Sequence, residues 1–104
     1  MKLTSGTFAP IKANVGRTLI VGSKLYGDRE DRREFYSEAV GVDMLPGDGV
    51  DLVHNLEDGP VPGRFDHVEC FSVLEHSKAP WLVAKHIEDC MNVGATLFLS
   101  VPFI

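Results

Sequence analysis

Asp43 stands 21 positions after Gly22. Gly22 ends one short apolar run and Asp43 ends the next. That spacing suits a nucleotide-type ligand: a glycine turn admits the ligand to the backbone, and a carboxylate accepts hydrogen bonds from both ribose hydroxyls. Met44 follows the acid and is placed to cover one face of a base. Asn55 is placed to meet base edges through its amide. Each residue also has a plainer reading. Asp43 suits a turn or helix cap, and Met44 suits a core or loop filler. Gly27 is the second glycine of the first turn. Among the four histidines, His76 is a weak candidate for a general base. His54, His67 and His86 show no partner set that suggests a metal site.

These residues need elements to hold them. Thr18 to Val21 is apolar on consecutive positions, as a strand covered on both faces should be. Gly22 and Gly27 bracket a loop. Asp28 caps a predicted short helix running to about Ser37, with Phe35 and Tyr36 as its apolar contacts. Its charged run, Asp28 to Glu34, reads as a solvated face carrying pairs one turn apart. Ala39 to Val42 is the second strand, closed by Asp43. Pro46, Gly47 and Gly49 make a turn-rich loop. Asp51 to His54 is the third strand, and Phe65 to Phe71 is the fourth. Ala79 to Met91 is the strongest helix: Val83, Ile87, Cys90 and Met91 share a face, Pro80 suits the first turn and Gly94 marks the stop. Thr96 to Val101 is the last strand, ended by Pro102. Strands alternating with helices at these lengths imply an α/β fold, a Rossmann-like, mostly parallel sheet. Such sheets bind ligands at the carboxyl ends of their strands. Those ends here are Gly22, Asp43 with Met44, Asn55 with Leu56, and Phe71 with Ser72.

Residues 1–16 carry little pattern and read as an N-terminal arm, leaving 17–104 as the domain. At 104 residues the chain makes one domain or less. Its 44% apolar content is that of a folded protein. A net charge of −5, with Lys and Arg scattered, gives no basic footprint for nucleic acid or anionic lipid. Cys70 and Cys90 are 20 positions apart and match no zinc or redox spacing, so both read as reduced, buried fillers. No apolar run reaches membrane-spanning length, and no charged-then-apolar leader opens the chain. The expectation is a soluble, cytoplasmic protein.

Four segments in order carry a resemblance: TLIVG (Thr18 to Gly22), VGVDM (Val40 to Met44), FDHVECFSVLEH (Phe65 to His76) and NVGATLFLSVPF (Asn92 to Phe103). Together they resemble class I S-adenosylmethionine-dependent methyltransferases, most of all the small-molecule type whose fourth strand leads into Leu-Glu-His. The resemblance spans about Arg17 to Ile104. It implies S-adenosyl-L-methionine as cofactor and methyl transfer to a small-molecule acceptor. The loop after Gly22, with Gly27, would pass under the methionine part. Asp43 would bind the ribose and Met44 would pack on adenine. Asn55 and Leu56 would flank the adenine edge, and Phe71 and Ser72 would lie beside the transferred methyl. His76, in the Leu-Glu-His segment, would sit just past the site.

This chain departs from the family in two places. The family's acidic-x-Gly-x-Gly-x-Gly loop is represented by Ile20, Gly22, Lys24 and Tyr26, with Gly27 displaced by one. The family sheet has seven strands in the order 3-2-1-4-5-7-6, and this sequence supplies strands 1 to 5. The apolar fifth strand is then an edge, and an edge of that kind invites another chain. A homo-oligomer joined through it is expected. The competing functional class is a non-catalytic protein of this fold, acting by self-association or partner binding. A nicotinamide-dependent oxidoreductase suits Asp43 but lacks GxGxxG, and a phosphate-loop enzyme lacks the Lys-Ser or Lys-Thr after its glycine.

Overall fold

The computed structural model describes residues 12–101. Five strands form one parallel sheet in the order β3-β2-β1-β4-β5. They are β1 (Thr18–Val21), β2 (Ala39–Asp43), β3 (Leu52–Val53), β4 (Phe65–Phe71) and β5 (Met91–Ser100). One α-helix, α1 (Pro80–Asp89), connects β4 to β5. The α/β, Rossmann-like architecture read from the sequence is the one observed. Of the predicted arm, residues 1–11 lie outside the described residues. Ala13 makes a parallel bridge to Tyr36, and the rest of the described arm leads into β1.

The centre of the sheet is built from strands buried on both faces. All four residues of β1 are buried, and β1 pairs with β2 on one side and β4 on the other. Val83 and Ile87 of α1 pack with Leu19, Val21, Val68 and Cys70 into one apolar cluster. The helix starts at Pro80, whose missing N–H costs nothing in a first turn. It stops at Asp89, earlier than expected. Gly94 is not its stop signal. It lies within β5 at φ +83, inside an irregularity where Met91 pairs with Phe65 and Thr96 with His67. The extra residues form a bulge, and a glycine relieves its left-handed backbone.

Both cysteines are free and buried in the core. Burial pushes the Cys70 thiol up to about 11, and Glu75 adds to that shift. Cys70 is therefore held as an unreactive thiol.

The largest departure lies between β1 and β2. The predicted helix over Asp28 to Ser37 is replaced by a single 3-10 turn, Arg32–Phe35. Its cap is Asp31, not Asp28: the Asp31 carboxylate accepts from the Arg33 amide at 3.1 Å. The charges do not form a solvated ladder. Arg33 pairs with Asp31 and Asp51, each at 2.7 Å. Arg32 reaches Glu69 in the middle of β4, with Nε and Nη2 donating to the two carboxylate oxygens at 3.0 and 2.8 Å. Glu69 is 1% exposed. A carboxylate so buried must be paired, and the segment folds to deliver the pair. Local side-chain bonds and this long-range demand win over helix propensity.

Tyr36 also donates its hydroxyl to Glu69, and its oxygen lies 3.2 Å from His67 Nε2. Burial opposes ionisation of Glu69, yet the bonds from Arg32 and Tyr36 outweigh it and hold the carboxyl below its usual range. Burial, with Glu69 alongside, pushes the Tyr36 phenol up to about 12. Tyr36 is thus a neutral donor.

Two outcomes follow from this pairing. Arg32→Leu strands Glu69 and should cost roughly 3–5 kcal/mol, whereas Arg32→Leu with Glu69→Leu should recover most of that loss. Urea unfolding of the three proteins measures both. The pH dependence has a fixed sign. The stabilisation from Glu69 is complete above 4.5, the ordinary carboxyl value, and is lost as pH falls through its depressed folded value. The wild type should therefore lose more stability on acidification than the double variant.

Candidate functional site

A cleft of about 620 Å³ opens at the carboxyl ends of the strands. It lies where the chain order reverses: β1, β2 and β3 run outward to one side, and β4 returns to the other side of β1. Open parallel sheets place ligands at such a switch point. The volume is that of a small-molecule site.

Four of the five strands contribute their ends. β1 supplies Val21 and Gly22, β2 supplies Val42, Asp43 and Met44, and β4 supplies Phe71, Ser72 and Val73. His54, Asn55, Leu56 and Glu57 follow β3. The segment after β1 adds Tyr26, Arg29, Glu30 and Arg32, and His76, Ser77 and Val83 complete the far wall. Of the residues singled out in the sequence, Gly22, Asp43, Met44, Asn55, Leu56, Phe71, Ser72 and His76 meet in this one cleft. Gly27 does not line it; that glycine sits at φ +54 in an exposed turn.

Asp43 already has work to do. Its Oδ2 accepts from the Lys24 amide at 3.0 Å and its Oδ1 from the Leu45 amide at 3.1 Å. The turn-residue reading therefore describes its contacts with the protein. Each carboxylate oxygen keeps a second acceptor site, so the same group can receive ribose hydroxyls. Asn55 is similar. Its Oδ1 accepts from the Glu57 amide at 2.9 Å, while its NH₂ has no protein acceptor among the described residues. Leu56 is buried, and its carbonyl is 2.5 Å from His86 Nδ1. Met44 is 60% exposed and forms an open wall.

Lys24 and Tyr26, the residues at the family's later glycine positions, behave differently. Lys24 is not part of the cleft lining: its aliphatic chain lies over Gly47 and its ammonium over the Tyr26 ring. Tyr26 does line the cleft. Gly22 is held by its surroundings as well as its φ of +72. A Cβ there would overlap Val73 Cγ2. Just past the end of β4, Ser72 adopts φ +58, a left-handed conformation rare for a residue with a side chain. Its amide donates to Ser100 O at 2.8 Å, which ties the end of β4 to the end of β5. A strained residue at the mouth of a cleft is characteristic of ligand sites.

A latch holds the wall opposite β1. Glu57 Oε2 accepts from Ser77 Oγ at 2.5 Å and from the Lys78 amide at 3.0 Å. His76 stands at the rim with its side chain 80% exposed, and its Nε2 is 3.9 Å from Glu75. That distance is too long for a hydrogen bond, so among the described residues no neighbour orients the imidazole. Among the described residues, no cluster of His, Cys, Asp and Glu could hold a metal ion, and no helix is long and apolar enough to cross a membrane.

Arg32, Arg29 and Glu57 were missed as site residues. For Arg32 the signal was present in the sequence: Glu69 interrupts an apolar strand, and a buried acid requires a cation from elsewhere. Comparison with protein-family models, curated proteins and solved structures gives no match.

Gly22→Ala should destabilise by about 2 kcal/mol or more, from the left-handed backbone and the clash with Val73. Adding Val73→Ala should return only the clash component. Denaturant unfolding of both variants checks the split.

Proposed function

We propose that the cleft binds S-adenosyl-L-methionine and that the protein serves methyl transfer to a small-molecule acceptor. The reading rests on one coincidence. The strand order β3-β2-β1-β4-β5 gathers Asp43, Met44, Asn55, Leu56, Phe71 and Ser72, singled out by spacing and by resemblance, around a single cleft. The donor set fits an adenosyl ligand. A carboxylate faces the ribose, a thioether side chain and Leu56 bracket the base, and a free amide meets its edge. Gly22, which admits no Cβ, keeps the floor low where the ligand crosses β1.

When bound, the cofactor supplies a methyl group already activated as a sulfonium. The chain's task is then alignment and exclusion of water. Asp43 fixes the ribose, Phe71 and Ser72 set the position of the reacting end, and Glu57 with Ser77 closes the wall. His76 at the rim is the available group for taking a proton from an acceptor.

Titration calorimetry with S-adenosylhomocysteine tests the reading. Binding is expected, and Asp43→Asn should weaken it about tenfold or more, the loss of hydrogen bonds to a charged acceptor. No heat at millimolar ligand would contradict it.

A second role is favoured by β5. Its outer edge has no partner strand among the described residues, and Leu97, Phe98 and Leu99 are 39%, 51% and 50% exposed. Strand addition by a second copy would cover them. Light scattering should give a dimeric mass that Leu99→Lys converts to monomer. A monomeric wild type would count against this role.

A further inference from the structure

We infer that Arg32 recognises an anionic group at the 5′ end of the nucleoside ligand, doing with a side chain what a glycine loop does with backbone amides. This rests on the adenosyl-binding reading above and adds a residue to it.

The first observation is how the guanidinium is held. Two of its nitrogens are committed to Glu69. Its plane stands over Phe35 at 4.5 Å and near Phe71 at 5.5 Å from the ring centroids. The third nitrogen, Nη1, has no hydrogen-bond partner among the described residues, and Arg32 lines the cleft. A guanidinium held by Glu69 and two aromatic rings, with one nitrogen uncommitted in a residue that lines a cleft, is preorganised for an anion.

The second observation is position. The strand order runs from β3 through β2 and β1 to β4. A nucleoside with its ribose on Asp43 and its base over Met44 and Asn55 fills the β2–β3 side. Its 5′ substituent then crosses Gly22 toward β4, where Arg32 is anchored. The third observation is the loop itself. Lys24 turns away over Gly47, and its amide is taken by Asp43. The first loop therefore offers the 5′ end fewer backbone donors than a glycine-rich loop would. Arg32 supplies the missing positive group.

The anion is a carboxylate if the ligand carries an amino-acid arm and a phosphate if it is a nucleotide. Three ligands separate these sources: S-adenosylhomocysteine, its decarboxylated analogue that keeps the amine, and adenosine 5′-monophosphate. Binding is measured by calorimetry on the wild type and on Arg32→Gln with Glu69→Gln, which replaces the ion pair by a neutral hydrogen-bonded pair. The wild type should prefer S-adenosylhomocysteine to the decarboxylated analogue by about tenfold. The double variant should lose that preference by losing affinity for S-adenosylhomocysteine, and its retained binding of the analogue shows an intact cleft. Arg32→Lys keeps a charge for Glu69 but loses the fork, and should lose most of the same preference. If adenosine 5′-monophosphate binds best and is the ligand weakened by the variants, the role of Arg32 stands and the S-adenosylmethionine reading falls. If S-adenosylhomocysteine and its analogue bind equally, or the variants weaken both alike, the role of Arg32 is overturned and the adenosyl site stands. If none of the three binds the wild type, both fail.

Discussion

A carboxylate in the middle of a parallel strand is the constraint around which this chain folds. Glu69 sits in β4 between apolar neighbours and is almost wholly shielded from water. It is tolerated there only because Arg32 and Tyr36 reach it. Both come from the segment that connects β1 to β2. That segment forms only one short 3-10 turn, and the pairing with Glu69 is what fixes its path over the sheet. Arg33 ties the same segment to the start of β3 through Asp51, which in turn accepts from the Gly41 amide at 2.7 Å. A run of charges thus does the work that an amphipathic helix would do with apolar side chains.

The cleft inherits its shape from this arrangement. β1 and β4 meet at the point where the chain order reverses, so their ends diverge and leave a space. Gly22 and Ser72, both left-handed, form its floor and lip. Asp43 holds the Lys24 amide and thereby the loop above that floor. Arg32 closes the cleft on the β4 side while it neutralises Glu69. The interactions that fix the path of the β1–β2 segment therefore also set which charged groups line the cleft. Asp43 and Arg32 each do both: they hold this segment and line the cleft.

Much of this was legible in the sequence, for definite reasons. The strands were readable because strands buried on both faces are short apolar runs, as in TLIV of β1. The strand-end residues followed from topology once the alternation of strands and helix was seen. The β1–β2 segment was not legible. Local signals, an acid before a charged run with Phe35 and Tyr36 behind it, favour a helix, and the competing signal is Glu69, more than thirty positions away. Gly94 misled for a similar reason: a glycine after a helical pattern reads as a stop, but the strand that follows α1 begins earlier and bulges around it. The first loop was half legible. Lys24 and Tyr26 both stand where the family has glycines, yet only Tyr26 faces the cleft, because Gly47 leaves room for the Lys24 chain to lie elsewhere.

The role proposed for the cleft depends on where an adenosyl ligand sits relative to Asp43. A crystal structure of the protein with S-adenosylhomocysteine tests it most directly. The ribose hydroxyls should lie within hydrogen-bond distance of the Asp43 carboxylate, with adenine against Met44 and the homocysteine arm running past Gly22 toward Arg32. A ligand bound elsewhere, or a cleft that stays empty with Asp43 bonded only to the Lys24 and Leu45 amides, would contradict the account.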